Sequence, residues 1–208
     1  MAISDIPTVF IIDDDADIRA SIQGLVKSAD LRSESFERAE QFLQRKPPDS
    51  PSCLILDVSL PGINGLDFQQ QLWKAGLQIP IIFVTGHGDI PMSVKAMKSG
   101  AVEFLTKPLK RHALLDAIQQ ALARDSARRK EQADIALLQK RYDKLSRRQH
   151  QVMHLVVSGL LNKQIASELG TSLVTVKLHR AQVMRKMQAG SVVDLVRMAD
   201  KLKPFSRH

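Results

Sequence analysis

The stretch VFIIDDDADIR, Val9 to Arg19, sets three aspartates directly behind four apolar residues. A short, continuous apolar run rich in β-branched side chains reads as a strand covered on both faces. Carboxylates crowded at the end of such a strand cannot all stay ionised without a partner. Asp13, Asp14 and Asp15 therefore call for a neutralising group.

The pattern around this strand repeats. CLIL (53–56), IIFV (81–84) and VEFL (102–105) read as further strands, and LRSES (31–35) as a short polar strand at an edge. Helical spacing fills the intervals. Ile18, Ile22, Leu25 and Val26 form one apolar stripe, and Phe36, Ala39, Phe42 and Leu43 a second. Leu66, Leu72 and Trp73 suggest a third, Ile90, Val94 and Met97 a fourth, and Leu114, Ile118, Ala121 and Leu122 a fifth. Five alternating units predict an α/β fold: a doubly wound, five-stranded parallel sheet with helices on both faces.

Beyond it the pattern turns wholly helical. No Gly or Pro interrupts Lys110 to Asp143, and Ile135, Leu138, Tyr142 and Leu145 keep an apolar stripe. One long helix is favoured there, with a frayed, charged linker around Asp125–Ala133 as the alternative. Four short helices are expected at 146–158, 162–169, 173–187 and 191–201, broken by Gly159, by Gly170-Thr171-Ser172 and by Gly190. The expected organisation is an α/β domain at 1–123, a helical linker at 124–144 and an all-α domain at 145–208.

Charge divides along the same line. Residues 1–123 carry 12 Lys and Arg against 15 Asp and Glu, while residues 124–208 carry 18 against 7, within a net charge of +8 over 208 residues. A basic second half points to a polyanion as its partner. No aromatic residue lies between Asp143 and Pro204, which disfavours base-stacking recognition of single strands or RNA. Duplex DNA read by a helix needs none. One cysteine, Cys53, rules out an internal disulfide and reads as a small core residue. The start, MAISDIPT, lacks an export pattern, and no apolar run is long enough to cross a membrane, so a cytoplasmic location is expected.

Ligands of a doubly wound sheet bind beyond the carboxyl ends of its strands. Asp13 and Asp14 follow the first strand, Asp57 the third, Thr85 the fourth and Lys107-Pro108 the fifth. Hard carboxylate oxygens suit Mg²⁺. A carboxylate nucleophile, a divalent cation, a hydroxyl and an ammonium are the parts needed for phosphoryl transfer to an aspartate. Any of these residues alone would more often cap a helix or face solvent; their order at successive strand ends carries the signal. Asp15 is the expected bystander, and His87 reads as a loop residue.

In the basic half, NKQIASEL (162–169), a turn at Gly170 and LVTVKLHRAQVMRKM (173–187) have helix-turn-helix proportions. Lys177, Leu178, His179 and Arg180 lie where a recognition helix enters the major groove, and Ser172 can cap that helix. A plain helical hairpin with a solvated basic face is the alternative.

Residues 8–123 resemble the receiver domain of two-component response regulators, and TGHGDIPMSVKAMKSGAVEFLTKP (85–108) resembles the FixJ-type subfamily. The resemblance implies Asp57 as phosphoacceptor. Asp13, Asp14 and Asp57 would hold Mg²⁺ with the backbone carbonyl of Ser59, with Mn²⁺ or Ca²⁺ able to substitute. Thr85 would be the switch hydroxyl, Lys107 its cationic companion, Phe104 an aromatic switch, and the Lys107–Pro108 peptide cis. The segment 145–203 resembles the LuxR-type helix-turn-helix. It implies base contacts by Lys177, Leu178 and Arg180, and backbone contacts by Asn162, Lys163, Thr171, Thr175 and His179. Gln149 stands where that family usually has Glu, and Ala181 where some members have a base-reading Lys.

The implied protein accepts a phosphoryl group from a sensor histidine kinase, dimerises, binds promoter DNA and, with RNA polymerase as a further partner, activates transcription. The only chemistry is Mg²⁺-dependent gain and slow loss of a phosphoryl group on its own aspartate. Within the FixJ-type subfamily the length also resembles regulators of styrene catabolism, which makes a catabolic operon one candidate target. Two rivals stand beside this. Asp13 and Asp15 have the D-x-D spacing of Mg²⁺-dependent phosphatases, although no cap domain is evident. A constitutive DNA binder with an unused receiver is the other, disfavoured by the complete Asp, Thr and Lys set.

Overall fold

The structure, a computed structural model, describes residues 6–45, 48–86 and 90–202; His87 lies outside them. The chain forms two compact units, Met1–Arg129 and Lys130–His208.

In the first unit, strands β1 (Thr8–Ile12), β2 (Arg32–Phe36), β3 (Ser52–Asp57), β4 (Ile81–Thr85) and β5 (Glu103–Thr106) alternate with helices α1 (Ala16–Lys27), α2 (Ala39–Leu43), α3 (Gly65–Lys74), α4 (Ile90–Lys98) and α5 (Arg111–Tyr142). The strands form one parallel sheet in the order β2-β1-β3-β4-β5. The alternation of side chains along each strand divides the core into two layers. Phe10, Ile12, Leu54, Leu56 and Phe83 face one way, against Phe42 of α2, Phe68 and Leu72 of α3 and Ala96 of α4. Val9, Ile11, Ile55, Ile82 and Val84 face the other, against Ile22 and Val26 of α1 and Leu114, Ile118 and Ala121 of α5. Cys53 is buried in that second layer, and burial pushes its thiol pKa well up, so it is an inert core residue.

Three helical stripes differ from expectation. In α3, Leu66 and Leu72 are buried but Trp73 is exposed. Phe36 ends β2 instead of opening a helix, where it packs edge-on against Phe42 with ring centroids 5.7 Å apart. In α4 the small Ala96 is the buried residue, while Ile90, Val94 and Met97 are 79%, 45% and 44% exposed. The apolar spacing was there, but it marks an outer face.

The region where a frayed linker was the alternative is helical: α5 runs unbroken for 32 residues. Its continuation past the sheet is held by a carboxylate that sequence periodicity does not reveal. Asp125 is fully buried. Its Oδ2 accepts the Ser52 backbone N–H at 2.9 Å and the Arg129 Nε at 2.6 Å. Its Oδ1 accepts Arg128 Nε at 3.1 Å and Nη2 at 2.5 Å. A buried carboxylate is tolerated only when its lone pairs are filled this way. Helix α5 is thereby fastened to the amino end of β3, the strand whose carboxyl end carries Asp57.

The second unit contains α6 (Arg147–Val157), α7 (Asn162–Glu168), α8 (Leu173–Met187) and α9 (Val192–Leu202). Ser146 and Gln149 cap α6 reciprocally, and Ser172 caps α8 by accepting the Thr175 N–H at 3.0 Å. Gly170 takes a positive φ of 58° to end α7, a conformation that a side chain would strain. Val152, Val156, Ile165, Val176, Val183, Met187 and Leu195 form the core, joined by Leu138 from the end of α5. No helix among the described residues is long and apolar enough to cross a membrane.

Replacing Asp125 by Ala leaves the Ser52 N–H and two guanidinium groups without their acceptor. Urea unfolding should show the first unit weakened by about 2–3 kcal/mol, the lower side of the usual cost because both arginines are partly solvated. An unchanged midpoint would show that α5 is held by apolar packing alone.

Candidate functional sites

The strand ends build the first site. Parallel pairing of β1 with β3 brings Ile12 beside Leu56, so the residues that follow, Asp13 and Asp57, emerge together at the carboxyl edge. Both are buried, and Asp14 is exposed. Ligand oxygens of Asp13, Asp14 and Asp57 all lie within 4.8 Å of one another. Lys107 follows β5, and its backbone N–H donates to the Thr85 carbonyl at 2.8 Å. Its Nζ stands 2.6 Å from Asp57 Oδ2 and 2.7 Å from Asp13 Oδ2. The peptide between Lys107 and Pro108 is cis.

The backbone completes this arrangement. The Ser59 N–H donates to Asp57 Oδ1 at 2.9 Å, and the Asp15 N–H to Asp13 Oδ1 at 3.0 Å. Arg19, which sequence inspection passed over, donates from Nη1 to the Asp13 carbonyl at 2.7 Å. Asp15 stands outside the cluster and caps α1, accepting the N–H groups of Asp17 and Ile18. Gly65 permits the close approach of α3: a Cβ there would lie 2.5 Å from the Asp57 carbonyl oxygen.

Burial raises the pKa of Asp13 above 3.8, although Lys107 pulls the other way. Burial also opposes the charge on Lys107, but Asp13 and Asp57 outweigh it and hold that pKa above its ordinary value. The site thus gathers more carboxylate than one ammonium balances. A small, hard divalent cation fits a set of three convergent oxygens of this kind. Thr85 is buried at the end of β4. Phe104 is half-buried on β5 with its ring centroid 6.5 Å from that of Phe83.

The second site is the exposed side of α7 and α8. Lys163, Lys177 and Leu178 are exposed, while Asn162, Thr171, Thr175, His179 and Arg180 are half-buried. Arg180 is already engaged: its Nη1 donates to Asn162 Oδ1 at 2.7 Å, tying α8 to the first residue of α7. Thr175 Oγ1 lies 2.8 Å from Ser172 Oγ, so its hydroxyl belongs to the helix cap. The buried Nδ1 of His179 has no hydrogen-bond partner. Arg148 Nη2 donates to the Leu169 carbonyl at 2.5 Å, fixing the turn before α8. Lys186 Nζ donates to Gln149 Oε1 at 2.8 Å, so a neutral amide accepts here from the ammonium. Lys186 is consequently a structural cation and not part of the exposed basic face.

Residues 9–119 match the response regulator receiver domain family, and residues 143–199 match the LuxR family of bacterial regulatory proteins. Nodulation protein W of Bradyrhizobium diazoefficiens is 48% identical over 200 residues, spanning 96% of this chain and 88% of that protein. The response regulator protein TodT of Pseudomonas putida is 47% identical over 195 residues, 94% of this chain and 86% of its own. A solved structure of the response regulator StyR superposes with a TM-score of 0.83 at 44% identity, covering 94% of this chain and 99% of that one. Full-length FixJ from B. japonicum gives 0.55 at 39% identity, covering 95% and 97%. The chain belongs to the two-component response regulators, as a transcription regulator that couples a receiver to a LuxR-type DNA-binding domain.

Proposed function

We propose that a sensor histidine kinase transfers a phosphoryl group to Asp57 and that the modified protein dimerises and binds promoter DNA to activate transcription. The observation that supports this best is the placement of Lys107 Nζ between Asp57 and Asp13 at 2.6 and 2.7 Å. The working division is a receiver at 1–123, a linker at 124–144 whose first turns stay fastened through Asp125, and a DNA reader at 145–208.

Asp13, Asp14 and Asp57, with the Ser59 carbonyl, are the groups that would hold Mg²⁺. Bound there, the cation supplies positive charge that offsets the transferring phosphoryl oxygens. The chain's own groups do the rest. An Asp57 oxygen attacks phosphorus as the bond to the donor nitrogen breaks, and the nitrogen keeps that electron pair. The Ser59 N–H and the Lys107 ammonium each engage one Asp57 oxygen, which fixes the rotation of the carboxylate and orients the nucleophile. The product replaces one negative charge by about two. Lys107 then shifts its attraction to the phosphoryl oxygens, Thr85 closes on them, and Phe104 takes up the space vacated. The exposed Ile90, Val94 and Met97 of α4 would supply the apolar part of the dimer surface. Dimerisation sets two copies of α8 on two half-sites and multiplies weak contacts. A cytoplasmic location, with RNA polymerase as a further partner, follows from this role. The D-x-D spacing of Asp13 and Asp15 does not favour the phosphatase rival, because Asp15 serves as a cap on α1.

The acceptor assignment is open to direct test. Incubated with acetyl phosphate and Mg²⁺, the wild-type chain should gain one phosphoryl group by intact-mass analysis, and Asp57→Asn none. Uptake by Asp57→Asn would place the acceptor elsewhere.

The cation site can be tested by stability. Because its pKa is raised, Asp13 favours the metal-free fold in its protonated form; that contribution is present at low pH and lost as pH rises through its titration. A cation bound to the carboxylate reverses the loss, so Mg²⁺ stabilisation should grow with pH above the usual carboxylate range. For a millimolar Kd, about a tenfold excess gives about 1.4 kcal/mol, a rise of a few degrees in Tm. Asp13→Asn should abolish the rise; a rise retained in full would remove Asp13 from the site.

A further inference from the structure

The exposed face of α8 is not the uniformly basic surface expected of a polyanion binder. Val174 is 76% exposed and Leu178 56%, and Ala181 is exposed beside them. Positions i, i+4 and i+7 fall on one face of a helix. That face points away from the unit's core, where Val176, Val183 and Met187 are buried. Lys177 is the exposed cation between Val174 and Ala181, since Arg180 is half-buried and donates to Asn162. A strip of aliphatic side chains is therefore held in water around a single ammonium.

Such a strip offers a partner an apolar surface beside a cation. The exposed cations of helix α8 are Lys177 and Arg185, and the helix carries no acidic residue, so charge complementarity selects a polyanion. Within duplex DNA the apolar group on the major-groove floor is the 5-methyl of thymine. The strip covers about 10 Å of helix axis, the length of about three base-pair steps.

We propose that Val174, Leu178 and Ala181 read thymine 5-methyl groups flanking the base pair contacted by Lys177. This rests on the assignment of α8 as the recognition helix and adds specificity to it: the preferred half-site is thymine-rich around a guanine. Val174 lies one turn before the residues that the helix-turn-helix resemblance singles out, and Ala181 offers no polar atom to a base edge. Direct readout along α8 is thus mostly by shape and methyl contact, with one hydrogen-bonding cation.

The test uses the full chain, phosphorylated with acetyl phosphate and Mg²⁺, and selection of bound duplexes from a random pool. Thymines should be enriched beside a guanine. Replacing an enriched thymine by deoxyuridine removes only its methyl group, and should weaken binding about three- to fivefold at each contacted position. In Val174→Ala, whose helix content circular dichroism can verify, the loss at one of those positions should vanish, because the methyl has no partner left. Lys177→Ala should instead lose the preference for guanine and keep the dependence on methyl groups. Equal binding of thymine and deoxyuridine sites by the wild type would overturn the proposal, as would undiminished discrimination by Val174→Ala at every position. Sequence selection that needs Lys177 but ignores methyl groups would overturn the methyl reading alone. Absence of any enriched sequence would overturn the recognition-helix assignment with it.

Discussion

The Lys107 ammonium, held between two buried carboxylates at the carboxyl edge of a parallel sheet, is the contact on which the proposed chemistry depends. Three strands deliver its parts. Asp13 follows β1, Asp57 ends β3, and Lys107 follows β5, four strand positions away from β2 at the far edge. Burial makes the contact consequential, because charges shielded from water interact more strongly than exposed pairs. It also leaves the site unfinished: the carboxylates outnumber the cation, and the pKa of Asp13 is raised in spite of Lys107. A divalent cation is complementary to that imbalance, and in the proposed reaction a phosphoryl group on Asp57 would give Lys107 a new destination.

Much of this was legible in the residues. Strands covered on both faces leave continuous apolar runs, so β1, β3 and β4 stand out in the sequence, and a parallel sheet sets the residues that follow them at one edge. Periodicity was less dependable where it lacked direction. The stripe Ile90, Val94 and Met97 has helical spacing, yet spacing alone does not say which way a helix faces, and the buried residue of α4 is Ala96. Phe36 had a position compatible with two elements, and pairing with Ile12 decided for the strand.

What stayed hidden were contacts made by charged residues over long separations. Asp125 sits in a run of Arg and Lys and reads as a solvated linker residue. Its partner is the backbone N–H of Ser52, 73 residues earlier, and no local pattern carries that information. Arg19 and Gly65 are similar: one supports a carbonyl of the acidic site, and the other is small because a backbone oxygen lies where its side chain would be. In the basic half the Arg180–Asn162 hydrogen bond shows that a cation on α8 can be occupied by its own fold. Net charge identifies the partner class, but only the hydrogen bonds tell which cations remain available to it.

The central claim is that charge added at Asp57 governs DNA binding by α8. Equilibrium binding of the full chain to a selected duplex, with and without acetyl phosphate and Mg²⁺, tests it most directly. The account predicts that phosphorylation tightens wild-type binding by about tenfold or more, within the usual range for coupled sites, and leaves Asp57→Asn at its unphosphorylated affinity. Equal affinity of the wild type under both conditions, or a matching response from Asp57→Asn, would contradict it.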